Sequence, residues 1–212
     1  MIRDQITSHF VRKEYEPEAF IFFEGDSPAQ LWLLEQGRVK LLKHSDTGRD
    51  VIVAVVSAGN FLGESAIREG MVYPVTAQAI EPTVLLVLPD DTYVELLRLY
   101  PDLSTLIIDG LEQRLNEAYD TIRSLAVERV ERRIARVLLK LAASVGKPEA
   151  GGSRILIDMP LTRQDVAEMT GTTVESAIRV MSKFRKLGVI ASKNGRVYLS
   201  EPHALVSIAD EL

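Results

Sequence analysis

Glu175 and Arg179 lie four residues apart in TVESAIRVMSKFRK, and four residues is close to one turn of an α-helix, so both project from one face. An arginine can donate to both guanine acceptors, O6 and N7, and a glutamate can accept from a cytosine amine. From Ser176 to Ser200 there are six basic residues, Arg179, Lys183, Arg185, Lys186, Lys193 and Arg196, and no acidic one. A local basic patch of this kind suits a polyanionic partner. The plain alternative is a solvated charged face, but such faces usually mix signs. Two local readings compete at the pair itself. Glu175 fits the fourth position of a capping box opened by Thr172, and Arg179 fits a simple ion pair with Glu175. The shared face puts base reading ahead of both.

In a second stretch, FLGESAIREGMVYPVTAQA from Phe61 to Ala79, Gly63 and Glu64 look like the start of a phosphate-binding loop. The cation that such a loop needs is not obvious, because Arg68 is the one basic residue in the stretch and comes early in it. Other chemistries have less to work with. The chain has no cysteine, which excludes disulfides, a thiolate nucleophile and cysteine-ligated zinc or iron–sulfur clusters. His9, His44 and His203 are far apart and form no metal-spaced pair, so they read as surface histidines and no metal is expected. Glu64 and Asp91 are candidate acids, but no nucleophile is paired with a base, so an enzyme is not expected.

These residues need elements to hold them, and the chain's 212 residues suffice for one large domain or two modest ones. The hydrophobic fraction of 46% suits a packed core. No apolar run approaches the length that spans a bilayer, and MIRDQITSHF has no signal-peptide core, so a cytoplasmic location is expected. The net charge of −5 hides an asymmetry: residues 1–125 carry 11 basic and 20 acidic residues, residues 126–212 carry 14 and 10.

The first hundred residues read as β. Short apolar runs occur at AFIFFE, QLWLLE, RVKLLK, VIVAVV and TVLLVL, with turn residues between them. Gly25, Gly37, Gly48 and Gly59 fall 12, 11 and 11 residues apart, the rhythm of a sandwich or rolled barrel. SDTGRD, residues 45–50, reads as a hairpin tip. Asp90 or Asp91 is expected to cap a short helix reaching about Tyr100, and Asp102 a long one. On the long helix Ile108, Leu111, Leu115, Ala118, Ile122 and Leu125 are spaced 3, 4, 3, 4 and 3, a heptad stripe that predicts a dimer interface. SVGKPEAGGS reads as a loop and RILIDMP as a short strand. Thr162 with Asp165 opens a helix, Gly171 breaks it, and Thr172 or Thr173 caps a second helix: a helix-turn-helix. GVIASKNGRVYLS follows as a hairpin turned at Asn194–Gly195, which makes the unit a winged helix. The second helix would enter the major groove through Thr173, Val174, Glu175, Ile178 and Arg179.

With these motifs in view, the chain resembles the cAMP receptor protein/FNR superfamily of transcription regulators over nearly its whole length. The motif TRQDVAEMTGTTVESAIRVMSKF carries the resemblance most specifically, supported by the glycine-punctuated roll, FLGE and the long helix. The resemblance implies an α+β architecture: a cyclic-nucleotide-binding-like β-roll (jelly roll) over 1–101, a dimerisation helix over 102–127 and a winged helix-turn-helix over 128–212. It implies a homodimer that binds two-fold symmetric double-stranded DNA and contacts RNA polymerase. Glu175 and Arg179 match the base-reading pair and Arg163 a backbone-phosphate contact. Thr162, Thr173, Val174, Ile178 and Lys183 complete the expected DNA-contacting set. Val174 stands where cAMP-type relatives have a base-reading arginine and FNR-type relatives have valine, which favours a TTGA-like half-site. Ile178 departs from the glycine or serine of both types. It is suited either to touching a thymine methyl or to steric accommodation.

Carried onto the loop, Glu64 matches the ribose-binding glutamate of cAMP-binding relatives, within a pocket of Gly63, Glu64, Ser65, Tyr73, Pro74, Ala118 and Tyr119. The phosphate-binding arginine falls on Tyr73 or Pro74, neither of which neutralises a phosphate. Ala118 and Tyr119 replace the threonine and serine that meet adenine. Three readings follow: an effector-independent or unknown-ligand pocket filled by side chains such as Tyr73, a haem site suggested by the likeness of YPVTAQA to nitric-oxide-responsive members, and cAMP last. The rival function from a different class is a ligand-binding module acting on a protein partner.

Overall fold

In the computed structural model of the chain the described residues are 10–27, 30–45, 50–64, 71–149 and 154–210. The chain divides into two compact units, residues 1–118 and 119–212.

In the first unit two antiparallel sheets face each other. One has the order β1 (Val11–Tyr15), β8 (Thr83–Pro89), β3 (Gln30–Gln36), β6 (Phe61–Leu62). The other runs β2 (Phe20–Phe22), β7 (Thr76–Ala79), β4 (Arg38–His44), β5 (Asp50–Ser57). Side chains alternate across a strand, and β3 uses both faces. Trp32 and Leu34 point into the core between the sheets, against Val39, Leu41 and Leu85. Leu31 and Leu33 face outward, beneath α1 (Asp90–Leu99) and the start of α2 (Pro101–Val127), where they meet Tyr93, Leu96, Leu103 and Ile107. A strand buried on both faces reads as a continuous apolar run, which is how QLWLL is written.

Several local expectations are corrected. Strands β1, β6 and β7 join those legible in the sequence. Pro89, not Asp90 or Asp91, stands at the cap of α1, because α1 already begins at Asp90. The long helix starts at Pro101 and places Asp102 in its first turn, where a carboxylate suits the helix dipole without capping. In SVGKPEAGGS, Gly146–Pro148 forms strand β9. Gly48, the centre of the 45–50 tip and residues 150–153 lie outside the described residues.

The second unit continues α2 into α3 (Val130–Val145), whose Ile134, Leu138, Leu141 and Val145 are buried at helical spacing. Helix α6 (Pro202–Asp210), also not read from the sequence, packs on α3. Arg132 and Arg136 donate to the Ala209 carbonyl at 3.2 and 3.1 Å, so α3 supplies cations to the C-terminal end of α6. Between α3 and α6 lie β9, β10 (Ile155–Ile157), α4 (Arg163–Thr170), α5 (Val174–Lys186) and the hairpin β11 (Ile190–Lys193) and β12 (Arg196–Leu199). These four strands form one sheet in the order β11-β12-β10-β9. Asn194 and Gly195 turn the hairpin at φ 53° and 72°, the positive pair that a two-residue primed turn requires.

Candidate nucleic-acid interface and sensor site

Helices α4 and α5 are positioned by their caps. The Thr162 hydroxyl accepts from Asp165 N at 3.0 Å, and Asp165 Oδ2 accepts from Thr162 N at 2.9 Å, a closed capping box. Thr162 is therefore engaged within the fold. Gly171 sits at φ 57°, the left-handed conformation that ends α4 and turns the chain. Thr173, not Thr172, caps α5, its hydroxyl accepting from Ser176 N at 3.2 Å. The third helical position is then Ser176, so the capping-box reading of Glu175 falls.

With that phase set, Ala177, Val180, Met181 and Phe184 are buried, while Glu175, Ile178 and Arg179 are exposed together, with Val174 half-buried beside them. Ile178 keeps 47% of its surface exposed, an apolar side chain beside the charged Glu175 and Arg179. Arg163 donates to Ser192 Oγ of β11 at 3.3 Å. Burial, and after it the charge of Arg185, push its pKa down. The basic stretch is not acid-free in space. Lys183 Nζ lies 2.8 Å from Glu131 on α3, and Arg196 pairs with Asp158. Hydrogen bonding from Lys147 and the charge of Arg196 hold the Asp158 carboxyl below its ordinary range.

The described residues named for the sensor pocket take different local settings. Tyr73 is buried in the roll, its ring 4.2 Å from Phe22 at 25° and 5.6 Å from Trp32. Its hydroxyl donates to the Gln30 carbonyl at 3.2 Å. Gly63, at φ 77°, lies under Trp32, and a Cβ there would come within 2.6 Å of the indole ring. Pro74, Ala118 and Tyr119 are exposed, and Ser65 is outside the described residues. Glu64 is turned toward α2, where it pairs with Arg114; their side chains are 10% and 24% exposed. This pair borders a cavity of about 420 Å³ walled by Gly59, Asn60, Phe61 and, on α2, Leu103, Leu106, Asp109 and Gln113. Tyr93 lies near it, and burial together with the Glu64 charge pushes its phenol pKa up. Arg114 was not singled out in the sequence. Its spacing of 11 and 7 from the buried Leu103 and Ile107 was the available signal, since that spacing places it on the roll-facing side of α2.

No group of three or more metal-ligating side chains occurs among the described residues, and no helix there is long and apolar enough to cross a membrane.

Two family models match the chain: a cyclic nucleotide-binding domain over residues 12–100 and a Crp-like helix-turn-helix domain over 132–208. The chain belongs to the Crp/Fnr family. It is similar to a global nitrogen regulator of Synechocystis, at 29% identity over 92% of this chain and 87% of that protein. It is also similar to a cyclic AMP receptor protein of Thermus thermophilus, at 28% identity over 97% and 91%. A crystal structure of a CRP-family transcriptional regulator from Thermus thermophilus superposes with a TM-score of 0.80 at 26% identity, covering 94% of this chain and 97% of that one. The protein is thus a Crp/Fnr-type transcription regulator with a DNA-binding helix-turn-helix, and the relatives it matches are regulators rather than enzymes.

In this Crp/Fnr chain the Glu64–Arg114 pair replaces solvent for both charges. Arg114→Met should lower stability by about 2 kcal/mol, between the extremes for surface and buried pairs, and adding Glu64→Gln should recover most of it. Denaturant unfolding of the two single variants and the double variant checks this; strictly additive losses would contradict the pairing.

Proposed function

We propose that this regulator acts as a homodimer that reads a two-fold symmetric DNA site with TTGA-like half-sites, and that it does so without cAMP. The observation that carries the reading is the outward face of α5, where Glu175, Ile178 and Arg179 are exposed together on a helix whose other face is locked in the core. Arg179 suits guanine, Glu175 suits cytosine, and Ile178 suits a thymine methyl. Arg163 beside Arg185 suits the phosphate backbone.

Dimerisation is supported by the stripe on α2. Ile108, Leu111, Leu115, Ile122 and Leu125 are 44–63% exposed, on one line roughly 25 Å long at 1.5 Å per residue, with Ala118 exposed among them. A second copy of the same stripe covers it, as in paired heptad helices. RNA polymerase as a further partner and a cytoplasmic location follow from kinship with the family.

Against cAMP stands Tyr73, one of the two positions on which the resemblance places the phosphate-binding arginine: its ring packs against Phe22, which stacks on Trp32, and it supplies no cation. Burying a phosphate with no cation to pair it would cost several kcal/mol. A haem finds no ready ligand in His44, whose ring nitrogens lie 2.8 Å from Asp50 and 2.8 Å from Thr76.

Arg179→Ala should weaken binding to the specific site by roughly 1–3 kcal/mol and relax preference at one guanine. An equal loss on specific and random DNA in a competition assay would remove Arg179 from base reading. Leu115→Asp places a charge in the middle of the stripe and should give monomers by sedimentation; an intact dimer would show that another surface pairs the copies.

A further inference from the structure

The junction of α2 and α3 carries polar ties that neither base reading nor dimerisation uses. Arg133, half-buried in the first turn of α3, reaches in two directions. Its Nη1 donates to the Glu128 carbonyl at 2.9 Å, and its Nε donates to the Thr170 carbonyl at 2.9 Å. Glu128 is the residue just past the end of α2, and its side chain is 2% exposed. Its carboxylate accepts from Ser124 Oγ at 2.6 Å and forms an ion pair with Arg136 at 2.8 Å, so the junction is braced on both sides. Thr170 ends α4, immediately before the left-handed Gly171 from which the chain turns into α5. Leu125 of α2 reaches the same turn, its Cδ2 2.8 Å from the place a Cβ on Gly171 would occupy.

One guanidinium therefore joins the end of α2 to the turn that aims the recognition helix. We propose that Arg133 is a positioning residue: it fixes the direction in which α5 leaves the end of α2, and so the separation at which two copies read their half-sites. This rests on the dimeric DNA reading proposed above. Both acceptors are carbonyls at chain ends of helices, where a cation is favoured. The planar fork of arginine holds both at once, whereas lysine offers a single ammonium on a flexible stem and satisfies them less well.

The test begins with duplexes that the wild-type full chain selects from a randomised pool. Affinities are then measured by anisotropy for the selected duplex, for versions with the half-sites moved one base pair closer or farther, and for a duplex with one half-site. Half-site spacing is a geometric readout of the dimer. Arg133→Met should reduce the preference for the selected spacing by roughly threefold to thirtyfold. Its single-half-site affinity should stay near wild type, and Arg133→Lys should fall between. An unchanged spacing preference in Arg133→Met, or an equal loss on the single half-site, would overturn the inference. If circular dichroism shows Arg133→Met unfolded, Arg133→Lys decides by the same two outcomes. A wild-type chain that selects no paired half-sites would overturn the dimeric reading itself, and the inference with it.

Discussion

A helix of 13 residues can give only part of its circumference to a core, and α5 gives Ala177, Val180, Met181 and Phe184. That burial fixes the rotation of the helix about its own axis. Shifting it by one residue would drive Arg179 or Lys183 into the core and expose Phe184, at a cost no surface contact offsets. Glu175, Ile178 and Arg179 are therefore outward as a consequence of packing. The Thr173 cap sets where the helix begins and Gly171 sets how it is approached, so the outward face is specified in rotation, start and entry angle by three separate pieces of local chemistry.

What the sequence discloses and what it hides divides along sequence distance. The capping box of Thr162 and Asp165, the Asn194–Gly195 turn and the apolar stripes of α2, α3 and α5 use partners within a few residues, and all were legible. The choice between Thr172 and Thr173 was not, because adjacent threonines offer the same hydroxyl and only the phase of the buried face separates them. Strands β1, β6 and β7 were missed because they are short or polar and are defined by what they pair with. VRKEY at β1 has no apolar alternation, yet it pairs residue for residue with β8. Arg114 and Lys183 find their carboxylates 50 and 52 residues away, beyond any local pattern.

In the first unit two residues singled out in the sequence are engaged within the fold itself. Tyr73 was read as a residue unable to hold a phosphate, and in the fold it becomes core, stacked with Phe22 beneath Trp32. Glu64 keeps its place in the loop but satisfies its charge with Arg114 of the long helix. The Glu64–Arg114 pair thus ties the end of β6 to the long helix by an interaction internal to the chain.

The central claim is selective DNA reading with nothing added. It is tested most directly by fluorescence anisotropy of the purified chain on a palindromic duplex whose TTGA and TCAA half-sites are centred about one helical turn apart. Random duplex serves as competitor across a range of salt. The account predicts binding that survives excess random DNA and weakens steeply as salt rises, because phosphate contacts release counterions. Binding that random duplex removes equally well, or that ignores salt, would contradict it.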